Sequence, residues 1–116
     1  MSATKKYQTF KAFYPYYLTE HSSVANRRLH FIGTLLLLCF LIAGIVSGRW
    51  WFFALIPVIG YGFAWVGHYF IEKNRPATFT YPFYSLSADF VMFWDMLTGK
   101  LPKKIAAAKK EVGSAA

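Results

Sequence analysis

Three histidines, His21, His30 and His68, are all the imidazoles the chain contains, and each stands near residues that suit metal chemistry. Glu72 follows His68 by four positions and Asn26 precedes His30 by four, so within helices each pair shares a face. Asn74 and Asp89 are the other polar side chains expected in the same neighbourhood. Imidazoles with a carboxylate and open coordination positions are the ligand chemistry of non-haem ferrous oxygenases. Ser85 and Ser87 have no histidine in a triad arrangement, so they read as helix-capping residues rather than nucleophiles.

The elements that must carry these residues are apolar. Of 116 residues 56% are hydrophobic, 21% aromatic and only 16% charged, more apolar content than so small a water-soluble core could hide. Intrinsic disorder is excluded, and with Cys39 as the lone cysteine so is a disulfide scaffold. Residues 29–48 carry no formal charge, nor do residues 50–71. As helices rising about 1.5 Å per residue, either run can cross a hydrocarbon layer about 30 Å thick. Arg49 alone separates them, which predicts a transmembrane hairpin of two helices, about 24–48 and 50–73.

The net charge of +8 is distributed as a topology signal. Lys5, Lys6, Lys11, Arg27 and Arg28 precede the first run, Lys73 and Arg75 follow the second, and Lys100, Lys103, Lys104, Lys109 and Lys110 fill the tail. Loops rich in Lys and Arg stay cytoplasmic, so both termini and the histidines are expected on that side of the membrane. No aromatic-basic groove motif accompanies the charge, which argues against nucleic acid as a partner.

The remaining segments complete an all-α membrane protein read as a single domain over residues 1–116. Residues 1–23 form an interfacial aromatic segment, with Tyr7, Phe10, Phe13, Tyr14, Tyr16 and Tyr17 as a belt and Pro15 as a breaker. Ser22 and Ser23 are natural N-caps for the first membrane helix. Residues 74–82 are a loop after Asn74-Arg75-Pro76, and residues 83–98 form a third helix, packed or re-entrant because Asp89 and Asp95 interrupt it. Residues 99–116 are a basic surface tail. Gly44 and Gly48 form a small-xxx-small pair through which a homo-oligomer could assemble.

A hairpin puts the start of its first helix and the end of its second on one side, so His30 and His68 are expected at similar depth. His21 cannot join them along an unbroken helix, since nine residues separate it from His30 by about 13 Å and turn it to another face. The chain must therefore break at Ser22 and Ser23. The same residues admit other chemistry: His30 and His68 as axial ligands of a b-type haem, a zinc-bound water for lipid hydrolysis, or histidines acting only as hydrogen-bonding residues in a non-catalytic scaffold. Arg27, Arg28, Lys73 and Arg75 suit either lipid headgroups or a substrate carboxylate.

Four blocks in order carry a resemblance: Phe13-Tyr14-Pro15-Tyr16-Tyr17-Leu18-x-Glu20-His21, Asn26-Arg27-x-x-His30-x-x-Gly33-Thr34, Gly67-His68-x-x-x-Glu72-x-Asn74-x-Pro76-Ala77-Thr78-Phe79 and Pro82-x-x-Ser85-Leu86-x-x-Asp89-Phe90. From about residue 10 to residue 100 the chain resembles the small membrane family that includes the Mpo-type 2-hydroxy fatty acid dioxygenases. The resemblance implies ferrous-iron-dependent α-oxidation, in which O₂ is used to cleave C1–C2 of a 2-hydroxy fatty acid and leave an acid one carbon shorter. It implies Fe²⁺ held by His21, His30 and His68, with Glu72 as a fourth ligand or an orienter of an imidazole. Asn26, Asn74 and Asp89 would then hold histidines by hydrogen bonds, and Arg27, Arg28, Lys73 or Arg75 would attract the substrate carboxylate. The host membrane would be a bacterial inner membrane or the endoplasmic reticulum.

Overall fold

The computed structural model describes residues 6–115, with side chains to residue 112. Residues 1–5 of the expected interfacial segment, Lys5 among them, and residue 116 of the expected tail lie outside the described residues. The fold is all-helical: α1 (Phe10–Thr19), α2 (Val24–Ser47), α3 (Trp51–Val66) continuing as a π-helical turn (Gly67–Glu72), a 3₁₀ turn (Ala77–Phe79), α4 (Pro82–Leu97) and α5 (Leu101–Ala115). These form two compact units, Ser23–Pro76 and Met1–Ser22 with Ala77–Ala116.

The unit Ser23–Pro76 is the helical hairpin. α2, and α3 with its π-helical extension, are long and apolar enough to cross a membrane, at 24 and 22 residues. Gly48, with φ 71°, ends α2 by returning its N–H to the Gly44 carbonyl at 2.9 Å, and the chain reverses at Arg49 and Trp50. Gly44 serves this hairpin internally: a Cβ there would stand 2.6 Å from the Phe53 ring of α3. Burial in this unit is inverted. Asn26, His30, Thr34 and His68 are buried, whereas Ile42, Ile45, Val46, Val58 and Phe70 are more than 60% exposed. The buried positions 26, 30, 33 and 34 recur at helical spacing, so α2 turns a polar face inward.

The other unit has a conventional core. Phe13, Tyr17 and Leu18 of α1, Ala88 and Met92 of α4, and Leu101, Ile105 and Ala108 of α5 are all buried together. The expected break at Pro15 does not occur, since α1 runs through it. Proline removes one backbone donor, but burying Phe13, Tyr14, Tyr17 and Leu18 on one side of the helix outweighs that loss. Thr9 caps α1 by accepting the Ala12 N–H on Oγ1 at 3.1 Å. The expected surface tail forms α5, whose Leu101, Ile105 and Ala108 join this core while Lys103 and Lys109 stay exposed.

Two tyrosines of α1 reach carboxylates of α4. The Tyr14 hydroxyl donates to Asp95 Oδ2 at 2.7 Å, and the Tyr17 hydroxyl donates to Asp89. Asp95 is buried and is neutralised by Lys104 of α5, whose Nζ stands 2.9 Å from both carboxylate oxygens. Asp95→Ala should therefore lower stability by about 2 kcal/mol, the order expected when a buried acceptor with charged and neutral donors is removed. Thermal unfolding of the detergent-solubilised chain measures it, and Lys104→Ala, which leaves the buried Asp95 carboxylate without its cation, should lower the midpoint as well.

Candidate metal centre

Each histidine has its Nδ1 held by an oxygen. His30, buried on α2, places Nδ1 3.1 Å from the Asn26 carbonyl one turn back. His21, buried just beyond α1, places Nδ1 2.7 Å from the Tyr17 carbonyl. His68, buried in the π-helical turn, places Nδ1 2.7 Å from Asn74 Oδ1. A carbonyl oxygen can only accept, so these contacts put the imidazole proton on Nδ1 and the lone pair on Nε2. That is the tautomer a metal-binding imidazole needs, oriented by the contact that metal-ligating histidines ordinarily make.

The His68 clamp comes from local backbone geometry. After the π-helical turn, Lys73 takes a left-handed conformation (φ 58°) and the Asn74 N–H returns to the His68 carbonyl at 3.0 Å. His68 and Asn74 are thus joined twice, through backbone and through side chain. Glu72 closes this π-helical turn. Its Oε1 accepts the Ser23 N–H at 2.5 Å and the Asn26 Nδ2 at 3.4 Å. Ser23 is the N-cap residue of α2, as its sequence position predicts, but its hydroxyl makes no capping bond and the Glu72 carboxylate satisfies the helix start instead.

The imidazoles of His30 and His68 lie 5.1 Å apart between ring centroids, at 88° to one another. His21, His30 and His68 together form a group that could hold a metal ion, one ring nitrogen of each lying within 4.8 Å of the others. A common ion about 2.1 Å from each nitrogen would set them roughly 3–4 Å apart. Glu72 is not part of that group.

A sequence model described as 2-hydroxy-palmitic acid dioxygenase Mpo1-like matches residues 7–101. The chain belongs to the Mpo1-like family. No curated protein and no solved structure matches it. All three histidines of this Mpo1-like chain, with Asn26, Glu72, Asn74 and Asp89, fall inside the matched span.

The supporting residues divide unevenly. Asn74 contacts a histidine through its side chain and Asn26 through its backbone, whereas Asp89 meets the Tyr17 hydroxyl. Asn26 has a second constraint, because a Cβ on Gly67 would stand 1.7 Å from its Oδ1. Of the four cations, Arg28, Lys73 and Arg75 are exposed and Arg27 is half-buried. The sequence marks Tyr17 only as a member of the aromatic belt, with no role beside His21. The spacing Tyr17-x-x-x-His21 points to it only once α1 is known to continue through Pro15.

Burial pushes the Asp89 carboxyl up to about 7, against a smaller opposing effect of the Tyr17 hydrogen bond. Burial also raises the Tyr17 hydroxyl well above its ordinary range, so it stays protonated and donates. An unfolded aspartate titrates near 4, so between pH about 4 and about 7 the folded chain holds the extra proton. The stability Asp89 contributes is complete below pH about 4 and is lost as pH rises through about 7. Asp89→Asn should remove that part of the slope, which unfolding midpoints across this range measure. Gly67→Ala should displace the Asn26 amide and lower the unfolding midpoint, with Gly62→Ala, where a Cβ meets nothing within 4 Å, as the neutral comparison.

Proposed function

We propose that the protein is an integral membrane dioxygenase that uses Fe²⁺ held by His21, His30 and His68 to shorten 2-hydroxy fatty acids by one carbon. The observation that carries this reading is the anchoring of all three Nδ1 atoms on oxygens, in a member of a family described as 2-hydroxy-palmitic acid dioxygenase-like. Three neutral nitrogen donors without thiolate suit a divalent ion that keeps open positions for small oxygen ligands. When bound, ferrous iron supplies the activation of O₂ that the organic acid lacks.

The chain's own residues do the rest. Asn74 and the carbonyls of Asn26 and Tyr17 hold the imidazoles neutral and oriented. Glu72 acts as an orienter, tying the start of α2, which carries His30, to the turn that carries His68. Arg27, Arg28, Lys73 and Arg75 attract the substrate carboxylate, and positioning C1 and C2 is the main contribution to rate. The inverted burial of the hairpin, polar inside and apolar outside, supports immersion of α2 and α3 in lipid, where the acyl chain of the substrate also resides. The positive ends of the hairpin support a cytoplasmic placement of the site and both termini.

Protein purified without oxygen should carry about one iron per chain, consume O₂ with a 2-hydroxy long-chain acid, and release the acid one carbon shorter. His68→Ala should abolish both iron and turnover, and normal turnover by that variant with iron retained would overturn the assignment. Turnover without O₂ would point to hydrolysis instead. Asn74→Ala should weaken iron binding by about 10–100-fold, the usual cost of removing the partner that orients a metal-bound histidine.

A further inference from the structure

His21 is the least supported of the three histidines by its own backbone. His30 lies within a long helix and His68 within a doubly closed turn, but His21 follows the last residue of α1 by two positions, its N–H returning to the Leu18 carbonyl at 3.1 Å. The contact from Nδ1 to the Tyr17 carbonyl fixes one atom of the ring, and packing bears on its plane. That plane lies against the Tyr17 ring, with centroids 4.1 Å apart and 30° between the planes. Tyr17 is 1% exposed, and the far end of its ring is tied by the hydroxyl to Asp89 of α4.

The two tyrosine–aspartate rungs between α1 and α4 differ in charge. Asp95 has Lys104 against it, whereas Asp89 has no cationic partner among the described residues. A buried acid without a cation is costly to ionise, and a rung needed only to join helices would be served as well by the cation-paired arrangement next to it. The uncompensated rung is the one whose tyrosine also stacks on a histidine.

We infer that Tyr17 and Asp89 are a positioning pair for His21, with Asp89 anchoring the Tyr17 hydroxyl so that the tyrosine ring holds the imidazole in its metal-binding orientation. The inference rests on His21 being a metal ligand, as proposed above. Neither residue touches the metal or the substrate in this arrangement. Each acts through the ring of His21, and together they act as one unit.

Anaerobic titration of the full-length, detergent-solubilised chain with Co²⁺, followed by its visible absorption bands, tests this without turnover. Tyr17→Phe keeps the ring and the backbone carbonyl but loses the anchor, and Asp89→Ala removes the acceptor. Each should weaken Co²⁺ binding about tenfold and shift the bands, and the double variant should be no weaker than either alone. Asp89→Asn, which can still accept the hydroxyl proton, should bind within about threefold of the parent chain. Asp95→Asn perturbs the neighbouring rung and should lower the melting midpoint while leaving Co²⁺ affinity and spectrum unchanged. Unchanged binding by Tyr17→Phe and Asp89→Ala, with Co²⁺ still lost in His21→Ala, would overturn the pairing while sparing the metal centre. Equal losses in Asp89→Ala and Asp95→Asn would reduce both rungs to a structural role and overturn it as well. A parent chain that takes up no Co²⁺ would overturn the metal centre itself, and this pairing with it.

Discussion

Everything proposed for this protein depends on where a proton sits on three imidazole rings. A neutral imidazole has one N–H and one lone pair, and which nitrogen carries which is decided by the partner of the other. Here the partners of Nδ1 are oxygens of Tyr17, Asn26 and Asn74. Two of them are backbone carbonyls four residues upstream, which can only accept and cannot be reoriented without unwinding the turn that holds them. The third is a side-chain amide, and it is held in place by a turn whose backbone closes on the same histidine. The lone pairs are therefore assigned to Nε2 by main-chain geometry more than by any polar network.

The hairpin and the unit built from α1, α4 and α5 solve burial in opposite ways. The latter hides aromatic and aliphatic side chains and pairs its buried carboxylates with tyrosines and a lysine, as a water-soluble helical core does. The hairpin hides Asn26, His30, Thr34 and His68 and leaves branched aliphatics and phenylalanines outward. In water such an arrangement would expose apolar surface at large cost, whereas in lipid the cost reverses and falls on exposed polar groups. Immersion in lipid, as proposed above, gives the polar interior of the hairpin and the apolar length of its helices one physical origin. Polar groups in lipid must be turned inward, and once inward they are available for chemistry.

Glu72 joins the two helices of the hairpin through its carboxylate. At the end of the π-helical turn it receives Ser23 N–H and Asn26 Nδ2 from the start of α2. Gly67 leaves room for the Asn26 side chain, since any side chain there would collide with it. The carboxylate thus links the end of the π-helical turn to the start of α2.

Much of this was legible in the order of residues. Two charge-free stretches with one arginine between them specify a helical hairpin, because backbone polarity allows few other forms in an apolar solvent. The spacing of Asn26, His30, Glu72 and Asn74 brings polar groups to the same end of that hairpin. The need for a break between His21 and His30 follows from helical rise alone. What the order of residues left open was decided by packing. Pro15 signals a break, yet α1 continues because its aromatic face is buried. Asp89 reaches His21 only through Tyr17, a partner 72 positions away along the chain. Periodicity reports what is near in sequence and the solvent an element prefers. The direction of a particular side chain depends on contacts with distant segments, whose energies rival the local preferences that sequence expresses.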